Sequence, residues 1–330
     1  MPSDDTGGRT HDDGRPDALY ARFAAAARAE RPDLALLCLL VEAVALRERN
    51  RAATARGTGP TDVEPTEVEL TEVELTETGP ADAGPGGGGA DDVVDRAQVE
   101  LDRLTGTLPY AAHRTPAQWA RALSRLLGDQ EGFHGAPADY ERLDSSLLGA
   151  VLRRRRGLPI LLSVVWMEVA RRAGAPVHGV ALPGHFVVGF GQPGGPDQVL
   201  ADPFAGGAVL SGEEVDALVA RATGGPPAPS VMRPADPLAI VRRVLDNIRV
   251  WAAARPERAP VRLWAVELSL LLPHHSAHLR QERARLLVER GDFLAGAGAL
   301  EEYAELVAGV EPRVADDARR EARAARARLN

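Results

Sequence analysis

Two residues stand where an imidazole and a carboxylate could share a proton: His185, in the run Pro183–Gly184–His185–Phe186, and Asp202, in Ala201–Asp202–Pro203–Phe204. Val, Phe and Leu cluster around both between Gly and Pro turns, which predicts strands at 177–182, 185–190 and 198–202. A simple hairpin centred between residues 193 and 194 sets His185 opposite Asp202. Directly opposed side chains, about 4.5–5.5 Å apart at Cβ, can hydrogen-bond. An imidazole held in this way can tie the hairpin together, or it can bind a ligand or act as a base on water. Both readings are open.

Other reactive side chains fit plainer roles. Ser163, one turn into a helix predicted from Pro159 to about Ala173, is flanked by Leu162 and Val164 and reads as a buried serine bonded to helix backbone, with a functional role as the alternative. Ser145 and Ser146 read as caps of a helix over Ser145–Arg156, with Gly157 as its C-terminal stop. Arg153–Arg156 reads as a solvated helix end favoured by the dipole, the alternative being a patch for an anion or acidic partner. His178 is a strand residue. His274, His275 and His278 form HHxxH after Pro273, with no carboxylate at a metalloprotease position, so neither metal nor cofactor is expected.

The elements that must position these residues are mostly helical. Helices are predicted at Ala18–Ala29, at Pro32–Arg47 with Pro32 in its first turn, and at about 91–105 and 116–128. Cys38 lies in the apolar stripe of the second and reads as a packing residue. From 237 onward the pattern is helical throughout, broken near Pro256, Pro273, Gly291 and Pro312. Residues 1–17 have the composition of a disordered tail. Residues 57–90 carry TEVEL twice in tandem and a glycine run, the composition of a flexible insert.

Charge adds exclusions rather than a function. The net charge is −8, yet from Gly57 to Asp95 there are eleven acidic residues and no basic one, so the acidity belongs largely to the insert. Every basic residue is arginine, which rules out a lysine nucleophile. The single cysteine permits no intramolecular disulfide, and the longest apolar stretch, Leu34–Leu46, contains Glu42 and is too short to span a bilayer. The start of the chain lacks the basic-then-apolar pattern of a signal peptide, so a cytoplasmic protein is expected. No basic excess suits nucleic acid. Nothing in the sequence sets an oligomeric state.

The block from Gly157 to Gly207, with GLPILLSVVWMEVARRAG, then PGHF, then ADPF, resembles the transglutaminase-like superfamily and, more narrowly, the bacterial SirB-type proteins. Gly132–Phe133, Asp139–Tyr140, Ser145–Ser146 and Arg155–Arg156–Gly157 extend the likeness. The resemblance implies an α+β fold: a transglutaminase-like, papain-related core with a small antiparallel sheet, followed by an all-α tetratricopeptide-like domain. The expected division is a tail at 1–17, helices packing on the core at 18–56, the insert at 57–90, the core at 91–233 and the helical domain at 234–330. Gly291–Asp292–Phe293 and Tyr303 fit the repeat, whereas Gly296 stands where alanine is usual.

In catalytic members of the superfamily a cysteine opens the helix, a histidine takes its proton and an aspartate orients the histidine. His185 and Asp202 match the last two. The cysteine position, two residues after Gly157, is Pro159, which has neither a nucleophile nor a backbone N–H. The resemblance therefore implies a non-catalytic module whose cleft, lined by Pro159, Ser163, Gly184 and Phe186, holds a protein or peptide partner. The alternative is an atypical acyl hydrolase or transferase that uses His185 and Asp202 without the cysteine.

Overall fold

A computed structural model describes residues 17–55, 90–225 and 232–329. The predicted tail, apart from Asp17, and the acidic insert, apart from Ala90, lie outside the described residues. The chain opens with α1 (Ala18–Ala27) and α2 (Leu34–Ala55), followed by α3 (Ala90–Thr107), α4 (Pro116–Leu123), α5 (Leu148–Arg154) and α6 (Pro159–Arg172). Strands β1 (Val177–Val180), β2 (Val187–Phe190), β3 (Val199–Asp202) and β4 (Ala208–Leu210) come next. The rest is helical: α7 (Gly212–Thr223), α8 (Pro237–Ala253), α9 (Ala259–Leu271), α10 (His278–Glu289), α11 (Phe293–Val307) and α12 (Pro312–Ala327). The architecture is α+β, mostly helical with one four-stranded antiparallel sheet in the order β1-β2-β3-β4.

Helix starts follow local capping chemistry. Asp17 accepts from Leu19 N at 3.1 Å, and the Thr115–Gln118 capping box opens α4 just ahead of Pro116. Asp33 accepts from Leu36 N at 2.9 Å and so starts α2, leaving Pro32 outside the helix rather than in its first turn. Pro159 is the first residue of α6, where a missing N–H costs nothing.

The helix expected over 145–156 is shorter and differently ended. Ser145 and Ser146 lie in a 3-10 turn, and Leu147 stands at the N-cap of α5 without a side-chain cap bond. Arg155, not Gly157, terminates it in the left-handed conformation (φ 58°). Its guanidinium bonds to Glu100 at 2.6 Å and Glu131 at 3.0 Å and lies over the Phe133 ring, contacts that hold a backbone arginine rarely adopts. Gly157 serves packing instead: a Cβ there would sit 2.6 Å from Val151 Cγ2.

The arginine run is only partly a solvated end: Arg153 stays 66% exposed, whereas Arg154, Arg155 and Arg156 are half-buried. Arg153 reaches Glu42 at 3.3 Å, and Arg154 and Arg156 reach Asp139 at 3.3 and 3.4 Å. Asp139 is buried and also accepts from Ala136 N at 2.9 Å and Ser145 Oγ at 3.3 Å. Glu42, fully buried in α2, accepts from Gly149 N in the first turn of α5. Local sequence cannot reveal these partners, because all come from other segments.

One apolar cluster runs from α1 to α9, with α6 buried along most of its length at the centre. α8 belongs to it through Ile240, Val241, Val244, Leu245 and Ile248. Beyond α9, an alanine-rich cluster joins α10, α11 and α12. Gly296 fits there because a Cβ would sit 2.5 Å from Val288 Cγ2 and 3.0 Å from Ala284 O, closer than packed helices allow. After β4 and α7 the chain returns to the opposite edge of the sheet. There Val180 bridges Pro234, and Ala235 N donates to Gly179 O at 2.8 Å.

Candidate functional site

His185 lies in the turn before β2, and Asp202 ends β3. The strands pair Val188 with Ala201 and Phe190 with Val199, which centres the hairpin between residues 194 and 195 rather than 193 and 194. His185 is therefore diagonal to Asp202, not directly opposite. Left-handed glycines at 191 and 194 lengthen the connection and shift the register. The side chains still meet: His185 Nε2 donates to Asp202 Oδ2 at 2.9 Å. The other carboxylate oxygen accepts from Phe204 N at 2.9 Å, so the carboxylate is fixed from both sides. Both side chains are mostly covered, at 14% and 11% exposed. Gly184 takes a left-handed backbone (φ 70°) that makes the sharp approach to His185.

The first turns of α6 lie beneath this hairpin. Pro159 is buried, and Ser163 Oγ donates to Phe186 O at 3.3 Å. The one hydroxyl that α6 itself carries is thus committed to a backbone carbonyl in the residue after His185. Phe186 itself is buried in the main core.

Three further residues complete the site. Phe204 meets His185 edge-on with ring centroids 6.2 Å apart, and Tyr140 tilts against Phe204 at 6.2 Å. Arg243, from α8, donates to His185 O at 3.1 Å, lies 3.5 Å from Leu182 O and sits over the Phe186 ring. Burial raises the Tyr140 phenol pKa and the Asp202 charge adds to the rise, while Arg243 opposes it. Burial lowers the Arg243 guanidinium. The Asp139–Tyr140 and PF segments pointed toward two of these residues. Nothing local to Arg243 marks it, because its role depends on α8 folding back over the turn.

The remaining candidates lie apart from this constellation. His178, on β1, meets Gln198 Nε2 at 2.9 Å, and burial lowers its pKa. His274 has a left-handed backbone in the α9–α10 loop, His275 Nδ1 donates to Leu272 O at 3.1 Å, and His278 opens α10. Among the described residues no group of three or more His, Cys, Asp or Glu is arranged to hold a metal ion. Cys38 is buried in the core, which pushes its thiol pKa up.

The profile of the transglutaminase-like superfamily matches residues 91–246, and that of the tetratricopeptide repeat matches residues 248–330. This chain carries a transglutaminase-like domain followed by a tetratricopeptide region. It is 31% identical over 191 residues to a UPF0162 protein of Xylella fastidiosa (strain Temecula1 / ATCC 700964), covering 56% of this chain and 66% of that one. A UPF0162 protein of strain 9a5c is 36% identical over 132 residues, covering 38% and 46%. F-box only protein 21 of Mus musculus is 32% identical over 106 residues, covering 30% and 17%. The chain thus matches about half to two-thirds of the length of these two bacterial relatives. Within the transglutaminase-like domain lie α3 to α7, the sheet, the His185–Asp202 pair and most of α8, including Arg243. No helix among the described residues is long and apolar enough to cross a membrane.

Proposed function

We propose that this transglutaminase-like protein is a non-catalytic, cytoplasmic binding module that holds a protein or peptide segment at the His185–Asp202 site and across its tetratricopeptide helices. One observation carries the reading. The helix start that would present a nucleophile is Pro159, and the one hydroxyl within that helix, Ser163, is fully buried and bonded to Phe186 O. An imidazole–carboxylate pair without an attacking atom can orient a ligand but cannot form an acyl intermediate. Stacked helix pairs such as those of tetratricopeptide repeats commonly present extended binding faces, which supports a polypeptide as the ligand.

A second reading has its own support. With Nε2 bonded to Asp202, the Nδ1 lone pair of His185 is available to take a proton from water. Incubation with glutamine peptides, amines and activated acyl esters, followed by mass spectrometry, separates the two. Unchanged masses support the binding module. Turnover that disappears in His185→Ala establishes the hydrolase or transferase instead. Affinity capture comparing the full chain with a variant carrying Leu294→Ser and Leu306→Ser, both exposed on α11, tests where a partner is held, since capture lost in that variant assigns the contact to the helices.

A further inference from the structure

Arg243 is a half-buried cation with no carboxylate beside it among the described residues. Among the described residues, every other part-buried arginine except Arg114 has a carboxylate partner. Arg114 lies over the Trp119 ring at 4.6 Å beside an exposed groove. Arg47 makes the contrast clear: burial works against its charge, yet Glu48 and Asp17 raise its pKa overall, while Arg243 is lowered. Withdrawing a guanidinium from water without a counter-charge is costly, and proteins seldom leave such a charge unmatched in a merely structural place.

The surroundings say what would match it. Arg243 directs one N–H toward Leu182 O and another to His185 O, leaving three of the five guanidinium N–H groups for a ligand. The Tyr140 ring packs on Phe204, Phe204 packs on the His185 ring, and Arg243 holds His185 O, so the three groups border one turn; the charges of Arg243 and Asp202 both reach the Tyr140 phenol. Tyr140 is 51% exposed, and its tilted contact with Phe204 makes an apolar wall open to solvent. One cation, one phenolic donor and an aromatic wall suit a single carboxylate on an aliphatic stem. A phosphate dianion calls for a denser cluster of donors.

We propose that Arg243 and Tyr140 form a carboxylate subsite next to His185, reading an acidic side chain or a free C-terminus on the bound segment. The proposal rests on the peptide-binding reading above. It extends that reading by naming the chemistry that selects the peptide, and it gives α8 a recognition role in addition to its packing role.

The test uses the full chain labelled with 13C-histidine, with the His185 ring signal identified by its loss in His185→Ala. Three peptides are titrated: acetyl-Ala-Ala-Glu-Ala-amide, acetyl-Ala-Ala-Ala with a free carboxyl end, and acetyl-Ala-Ala-Gln-Ala-amide. One carboxylate peptide is expected to move the signal with an affinity about 10-fold above that of the glutamine peptide, and Arg243→Gln is expected to erase that preference. The winning peptide identifies the source of the carboxylate. Arg243→Lys, which keeps the charge, is expected to retain part of the preference, separating charge from packing. Equal binding of the glutamine peptide, or a preference that survives Arg243→Gln, overturns the subsite and leaves the peptide-binding reading standing. If no peptide moves His185, both fail.

Discussion

Two groups of arginines in the same domain are handled in opposite ways. Around α5, Arg153 to Arg156 are matched by Glu42, Asp139, Glu100 and Glu131, two of them buried, and the network fastens α2, α3, the 137–146 turns and α5 to one another. At the His185 turn, Arg243 holds two backbone carbonyls and lies over the Phe186 ring, with no carboxylate partner among the described residues. The first group behaves as architecture, since each charge has its partner inside the chain. The second leaves a valence that something outside the chain can fill. In this protein the number of arginines at a place says little, and whether their charges are balanced says a great deal.

The comparison can be broken most severely at Asp139. Asp139→Ala strips the partner from Arg154, Arg156, Ser145 and Ala136 N together, and urea unfolding should register a loss of about 3–5 kcal/mol. A loss below about 1 kcal/mol would show that the network is decorative. Gly149→Ala is expected to cost less, about 1–3 kcal/mol, because its Cβ would lie 2.5 Å from Glu42 Oε2.

Glu42 sharpens the comparison through pH. Burial is the largest influence on its carboxyl and raises its pKa, against Arg153 and the Gly149 N–H. A carboxyl raised on folding contributes stability that is complete below the unfolded value of about 4.3 and is lost as pH rises through the folded value. Glu42→Gln should flatten that part of the stability profile, and profiles of equal slope would refute the assignment. The smallest effect belongs to Arg243. Arg243→Met should change the unfolding free energy by less than about 1 kcal/mol, since only backbone carbonyls lose a donor and an unmatched charge is removed. A large loss would move Arg243 into the architectural group.

What the sequence made legible was what local chemistry decides. PGHF and ADPF located the two strand ends, Pro159 fell at the first position of α6, and the breaks in the C-terminal helices followed Pro and Gly. What escaped depended on distant partners. The left-handed Arg155 needs Glu100 and Glu131, and Gly296 needs the closeness of Val288. The three-residue β4, with its first two residues exposed, has no core face to impose an alternating pattern. The irregular turn over Ser124–Gln130 continues α4 as a π-helix because Gly128 and Ser124 pack on the Gly206 backbone, a contact made 82 positions away along the chain.

The return of the chain after α7 has a consequence for how the sheet behaves in a crowded solution. A strand with free backbone groups along its outer side invites another polypeptide to add itself there. The Val180–Pro234 bridge and the Ala235–Gly179 bond cover part of β1, and proline offers no donor to a newcomer. At the other margin β4 is too short to template a long addition. Strand-by-strand growth is thus hindered at the Gly179–Val180 end of β1 and given little length to work on at β4.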